Sequence, residues 1–398
     1  MHQSHHIFIH PWLNRETQWG GLILSGSGGG RECCAGVAQL CRDADTASLG
    51  HQLNWYVPVD PESCFAEFSA WPKGRTIFLV EEPENAETDE NWLQLAETLR
   101  TLGHKVGVIA FPHHPIPPAG GPWDCVVMET CHARTAPPVK LILLASQSTI
   151  IMSGVKARLD FDWGVANQAS LMGAEFLLSR SAEPSQRDVM RAHLLRLLSL
   201  VTQDADTREI EEVFRQEPKL SYSLLRLVNS AALSLRMPVT SFSQAITLLG
   251  RRQLQRWLQL LVYADPGGDH RANPLLLWAA MRGRLMELAF QHFNPAPQLA
   301  IESDSAFMAG IFSLLDVLLN LPMEEILSQL PVASTVKLAL TERAGPLGEL
   351  LRAVEAAERR KFKAASETLT GLGISCSDYA QAQLAAIDWA NNVSRQAD

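Results

Sequence analysis

SYSLLRLVNSAALSLRMPVTSFSQAITLLGRRQLQRWL, residues 221–258, decides how the chain is read. Leu224, Leu225, Val228 and Ala231 recur at the spacing of one buried helix face. Pro238 falls in the turn that follows. Ser241 with Gln244 then forms a capping-box pattern, and Gly250 is placed to end the second helix. A further helix is expected over 251–264. Arg251, Arg252 and Arg256 gather there within about one and a half turns, with Trp257 beside them.

The same helical period runs outward from this segment to the end of the chain. Asp206 with Glu209 opens one helix and Pro218 closes it; others are expected near 274–293, 304–320, 323–330 and 346–360. Upstream the period changes. Short apolar runs at 7–9, 22–24, 76–80, 106–111, 124–128, 140–144 and 149–152 read as strands. Residues 90–102 lie between two of them and place Trp92, Leu95, Ala96, Leu99 and Leu102 at helical spacing, with Gly103 as the stop. Strand, helix, strand order with apolar strands points to an α/β layer built on a parallel sheet. The fold class is therefore α/β plus all-α, with domains expected over 1–190 and 191–398.

Composition narrows the function classes. The chain has 398 residues, 46% of them apolar and 19% charged, which is globular composition with room for two cores. Its net charge of -9 argues against binding nucleic acid through bulk electrostatics. No apolar run reaches the roughly 18 residues of a membrane span, and the N-terminus lacks an export pattern. The seven cysteines show no C-x-x-C spacing, so free thiols in a reducing, bacterial-type cytoplasm are expected.

Three separated blocks of the helical half resemble the HDOD domain, a signalling module related to HD-type metal phosphohydrolases. They are LSYSLLRLVNSAA, PVTSFSQAITLLGRRQLQRWL, and AFMAGIFSLLDVLLNLPMEEILSQLP followed by ERAGPLGELL at 342–351. The resemblance implies a helical bundle over roughly 200–395. An HD enzyme needs a His-Asp doublet; the matching place reads Ser313-Leu314, and the helix at 278–282 offers no His. Asp316 alone is a helix-surface carboxylate, and Asn229 is read as satisfying backbone groups within a helical core.

The first half resembles, in strand order more than identity, the EAL-type cyclic di-GMP phosphodiesterase domain that often precedes HDOD. That resemblance implies a degenerate, truncated or distorted TIM-type barrel, since fewer than the ~250 residues of a full (β/α)8 barrel are present. The opening Glu ligand is replaced, with Leu22 at its place. Ile109 and Ala110 stand for the paired aspartates, Val127 for a Lys, and Ser153 for a later Glu, leaving Glu81, Glu82 and Glu129.

Other signals are weaker. The run Ser25 to Gly30 lacks the Lys-Ser or Lys-Thr of a phosphate loop and is read as a plain loop. His113, His114, Cys131 and His132 have no partner spacing for a metal, and Cys33-Cys34 is read as helix core. The expectation is therefore a cytoplasmic signal-transduction adaptor that is not an enzyme, with no catalytic or metal residues and no cofactor. It would work through contacts with signalling proteins. Arg251, Arg252, Arg256 and Trp257 are its candidate docking surface, Arg and Trp being the residues most enriched in interface hot spots. The alternative is a receptor that binds cyclic di-GMP without hydrolysing it.

Overall fold

The computed structural model describes residues 6–26, 53–59, 71, 74–85, 91–180, 199, 255–256, 258–260, 263, 274–293 and 303–394. The helices expected at 206–218, 221–232 and 241–250 lie outside these residues, as do Asn229, Arg251, Arg252 and Trp257.

Eight strands close into a barrel in chain order. They are β1 (Ile7–Leu13), β2 (Trp19–Gly26), β3 (Asn54–Val59), β4 (Thr76–Glu81), β5 (Lys105–Ile109), β6 (Cys125–Glu129), β7 (Thr149–Ser153) and β8 (Leu171–Met172). From β2 to β8 neighbours run parallel, whereas β1 is antiparallel to both β2 and β8. All eight strands fall within the first 172 residues, so the shortening expected from sequence does not fall on strand number.

Alternation along each strand sorts side chains to the two faces. Trp12, Ile23, Tyr56, Ile77, Leu79, Cys125, Val127, Ile151 and Leu171 form the apolar cluster of the barrel interior, with Ile109 packed against it. Gly21 makes room there: a Cβ on it would stand 2.6 Å from Cε2 of Tyr56. Burial pushes both the Tyr56 phenol and the Cys125 thiol up, so neither ionises in the physiological range.

Two sequence expectations change. The run at 140–144 is not a strand; it lies in a helix, Pro138–Ala145, that buries Leu141 and Leu144 and leaves Ile142 and Leu143 57% and 60% exposed. Pro138 sits in the first turn, where its missing N–H costs no hydrogen bond. Conversely, NWYVPV is a strand that the sequence pattern did not single out, because Pro58 interrupts the run.

The helices between strands are α1 (Asn91–Thr101), α2 (Thr130–Ala133), α3 (Pro138–Ala145) and α4 (Arg158–Ala166). α1 buries Trp92, Leu95, Ala96 and Leu99, as its spacing predicts, whereas Leu102, expected on the same face, lies past the helix end and is 49% exposed. Further along come α5 (Pro274–His292), α6 (Ser303–Phe312), α7 (Leu315–Leu319), α8 (Met323–Ser328), α9 (Ser334–Glu342), α10 (Gly345–Glu358), α11 (Phe362–Gly371) and α12 (Cys376–Ser394). The single helix expected over 304–320 is thus two, parted at Ser313 and Leu314. Among the described residues no helix is long and apolar enough to cross a membrane.

Packing gathers the chain into two compact units. One comprises Met1–Leu178 with Ala356–Thr370 and Ser375–Leu384; the other comprises Ser179–Glu355 with Gly371–Ile374 and Ala385–Asp398. The barrel unit therefore includes α11 and the first half of α12, drawn from the far end of the chain.

Candidate functional site

Parallel strands deliver their C-terminal ends to one rim, where loops can carry chemistry on a rigid base. Ile7 pairs with Gly26, so the start of the reversed β1 joins the same rim. Continuing the interior alternation upward places Glu81 after Leu79, Glu129 after Val127 and Ser153 after Ile151. Glu129 stands beside Ser153 in register, and Glu81 beside Ile109. The mouth is thus acidic and polar above an apolar plug.

Hydrogen bonds hold the rim in place. Thr130 Oγ1 donates to Ser153 O at 2.8 Å, tying the β6 and β7 ends together. The Cys131 thiol donates to Glu129 Oε2 at 3.3 Å. Glu82, which is buried, accepts the Phe111 N–H on Oε2 at 2.8 Å, and its Oε1 lies 3.4 Å from His114 Nδ1. His132 Nε2 is 2.9 Å from His114 O, which leaves Nδ1 buried with no hydrogen-bond partner among the described residues. His114 and His132 thus clamp the rim loop.

Beyond β8, Glu175 folds back over Gly173, where a Cβ would lie 2.1 Å from Oε2. Burial raises the Glu175 carboxyl, with Arg360 and Lys156 pulling it partly back down. This acid was missed by the sequence reading, because nothing local marks a Glu one residue into a 3-10 turn.

The positions inferred from resemblance can now be placed. Leu22 alternates with Ile23 and therefore faces away from the barrel interior, so the Glu mapped onto it is corrected: the inward positions of β2 are Gly21 and Ile23. Ile109 and Val127 do face inward. Among the described residues no group of three His, Cys, Asp or Glu could hold a metal ion. The described residues of the mouth do not fit a divalent metal.

In the helical unit, Ser313 takes its Oγ contacts from within the fold. It accepts from Arg282 Nη1 at 2.6 Å and donates to Gly310 O at 2.6 Å. Asp316 is half-buried, and burial raises its carboxyl. Of the candidate docking residues, the described one, Arg256, turns inward. Its guanidinium pairs with Glu287 and, at 2.5 Å, with Asp304, and lies 4.9 Å from the centre of the Phe307 ring.

Comparison with known proteins adds the following. A family model described as the HDOD domain matches residues 188–267, so the chain carries an HDOD domain there. The chain is 31% identical over 223 residues to a Vibrio cholerae protein named cyclic di-GMP phosphodiesterase CdgJ, covering 55% of this chain and 50% of that one. It is 28% identical over 199 residues to the uncharacterized protein YuxH of Bacillus subtilis, covering 50% and 47%. The chain spans about half the length of these curated relatives. Among solved structures, a putative phosphohydrolase of Shewanella amazonensis aligns at 17% identity and TM-score 0.35, over 52% of this chain and 93% of that one. The Bacillus subtilis YkuI protein, with an EAL domain and solved with cyclic di-GMP and calcium, aligns at 15% identity and TM-score 0.32, over 62% and 73%.

The similarity to the Vibrio cholerae protein corrects the expectation of a chain that is not an enzyme, because that relative, 31% identical over the aligned residues, is named a phosphodiesterase. Counting lost ligands depends on strand register, and a slip of one residue moves a position to the opposite face.

Proposed function

We propose that the chain acts in cyclic di-GMP signalling, with the barrel mouth taking up the cyclic dinucleotide and the HDOD part passing the consequence to a protein partner. The observation that carries this reading is the pair of exposed carboxylates, Glu81 and Glu129, at inward positions of the rim. A carboxylate accepts from guanine N1–H and N2–H2 as a bidentate, charge-assisted pair, which adenine cannot offer. The similarity to a named cyclic di-GMP phosphodiesterase supports the same ligand class.

Calorimetry of the purified chain with cyclic di-GMP, up to about 100 µM, tests it; saturable binding with preference over cyclic di-AMP is the expected result. No heat for either ligand would sink the assignment. Hydrolysis to the linear dinucleotide is followed in the same samples with and without Mg2+ or Mn2+. Glu81→Gln and Glu129→Gln are the variants in which binding or turnover should fall, since an amide keeps one acceptor of two.

The partner-docking part of the proposal rests on Arg251, Arg252 and Trp257, in a cytoplasmic setting consistent with free Cys125, Cys131 and Cys376. Affinity capture with wild type and an Arg251→Ala/Arg252→Ala variant tests it. Arg256 is left intact because its ion pairs hold the helices. Retention of every partner by the double variant would remove these residues from the docking surface.

A further inference from the structure

β8 is two residues long and meets β1 only at Leu13 and Met172. By register, the edge of β1 toward the rim has no strand on that side among the described residues. A closed barrel cannot leave such peptide groups buried and unpaired. Gln383, on α12 and itself buried, fills the place. The Ile9 N–H donates to its Oε1 at 2.9 Å, and its Nε2 donates to Ile7 O at 2.8 Å. One carboxamide thus offers β1 the same donor and acceptor that a peptide group of a neighbouring strand would.

Aromatic packing surrounds this pair. Phe8 stacks on Phe362 with ring centres 5.3 Å apart and meets Tyr379 edge-on at 5.9 Å; His10 lies 5.6 Å from Phe362. His10 is paired with Ile23, so Phe8 and His10 share the interior face, and Phe362 enters the seam from α11. At the rim, His6 Nδ1 lies 2.9 Å from Ser366 Oγ. The closure is polar and narrow compared with a ladder such as β6–β7, which runs in register over five residues.

The turns bracketing α11 have left-handed backbone at Arg360 (φ 59°) and Gly373 (φ 74°). The first is a conformation that a residue with a side chain adopts at a cost of about 1 kcal/mol or more. α12 itself runs on past Leu384 as one helix to Ser394.

We propose that α11 and the first half of α12 form a releasable latch that completes the barrel wall in place of a longer β8, and that withdrawal of Gln383 opens the β1 seam beside the mouth without unfolding the barrel. The latch is independent of which ligand the mouth takes.

Hydrogen exchange on the full chain, read by mass spectrometry, tests this on the peptide covering 6–13 against peptides covering β4 to β6. In Gln383→Ala, exchange over 6–13 should rise about tenfold, with little denaturant dependence and no change in β4 to β6. Gln383→Glu keeps the acceptor for Ile9 but sets a buried carboxylate oxygen against Ile7 O, and should give a rise at least as large, confined to the same peptide. Parallel acceleration of all strands in either variant would make α12 an ordinary core element and overturn the latch, as would unchanged exchange over 6–13. If Gln383→Ala does not fold, Gln383→Glu alone carries the same two readings.

Discussion

Arg282 reaches Ser313 across the crossing of α5 and α6, its Nη1 donating to Ser313 Oγ at 2.6 Å. The guanidinium is buried and also lies 4.0 Å from Glu355, which Arg343 grips with two bonds of 2.8 and 3.0 Å. Replacing Arg282 by Met removes the bond to Ser313 but leaves Glu355 paired to Arg343. The expected loss is about 2 kcal/mol, below that of a buried charge left wholly unpaired. Urea unfolding with an unchanged m value would measure it; a variant as stable as wild type would remove Arg282 as a brace.

Gly310 makes that crossing possible. A Cβ there would stand 2.7 Å from Gly283 Cα and 2.8 Å from Arg282 O, both backbone atoms that cannot swing aside. Gly310→Ala should therefore push the helices apart and cost about 1–3 kcal/mol, more than its gain in helix propensity returns. Thermal unfolding of the variant checks this, and a raised midpoint would contradict it.

Arg256 and its neighbours in sequence should separate in their effects. Arg256→Ala leaves Glu287, a buried acid, to Arg284 at 2.7 Å and removes the cation over Phe307. A loss of about 2–4 kcal/mol is expected. Arg251→Ala and Arg252→Ala should change stability by about 0.5 kcal/mol or less if they form a solvated docking face. Equal destabilisation in all three variants would count against that face.

His10 predicts an acid-sensitive barrel. Burial lowers its pKa from 6.5 to about 3, with Arg360 pushing in the same direction, and its Nε2 makes no hydrogen bond among the described residues. The neutral form is thus favoured by the folded state. Its contribution is fully present above pH 6.5 and is lost as pH falls from there toward 3, because the unfolded chain takes up the proton first. The slope approaches about 1.4 kcal/mol per pH unit. Stability of His10→Phe measured between pH 7 and 4.5 should be flatter than wild type; parallel curves would show that other groups govern the acid limb.

Much of the architecture is legible locally. Trp92, Leu95, Ala96 and Leu99 announce α1, and the apolar runs at 76–80, 106–111 and 149–152 announce β4, β5 and β7. The misreading of residues 140–144 has a plain cause. A short apolar run has no decisive period, so KLILL reads as a strand until Pro138 and the burial of only Leu141 and Leu144 make it helical. The site was partly legible: Glu81, Glu82 and Glu129 could be counted as surviving acids. Which residue faces inward could not be, as Leu22 shows, because the face depends on pairing with a neighbouring strand.

By itself the sequence determined the change from a strand–helix alternation to a wholly helical period, since both follow from the spacing of apolar side chains along the chain. Only the tertiary structure decided that Arg256 is consumed by Glu287 and Asp304, and that Gln383 completes the wall begun by Ile7 and Ile9. Those contacts join residues up to 376 positions apart. A hydrogen bond across such a distance leaves no local pattern, because its partner is set by how whole elements pack and not by what stands nearby in the chain.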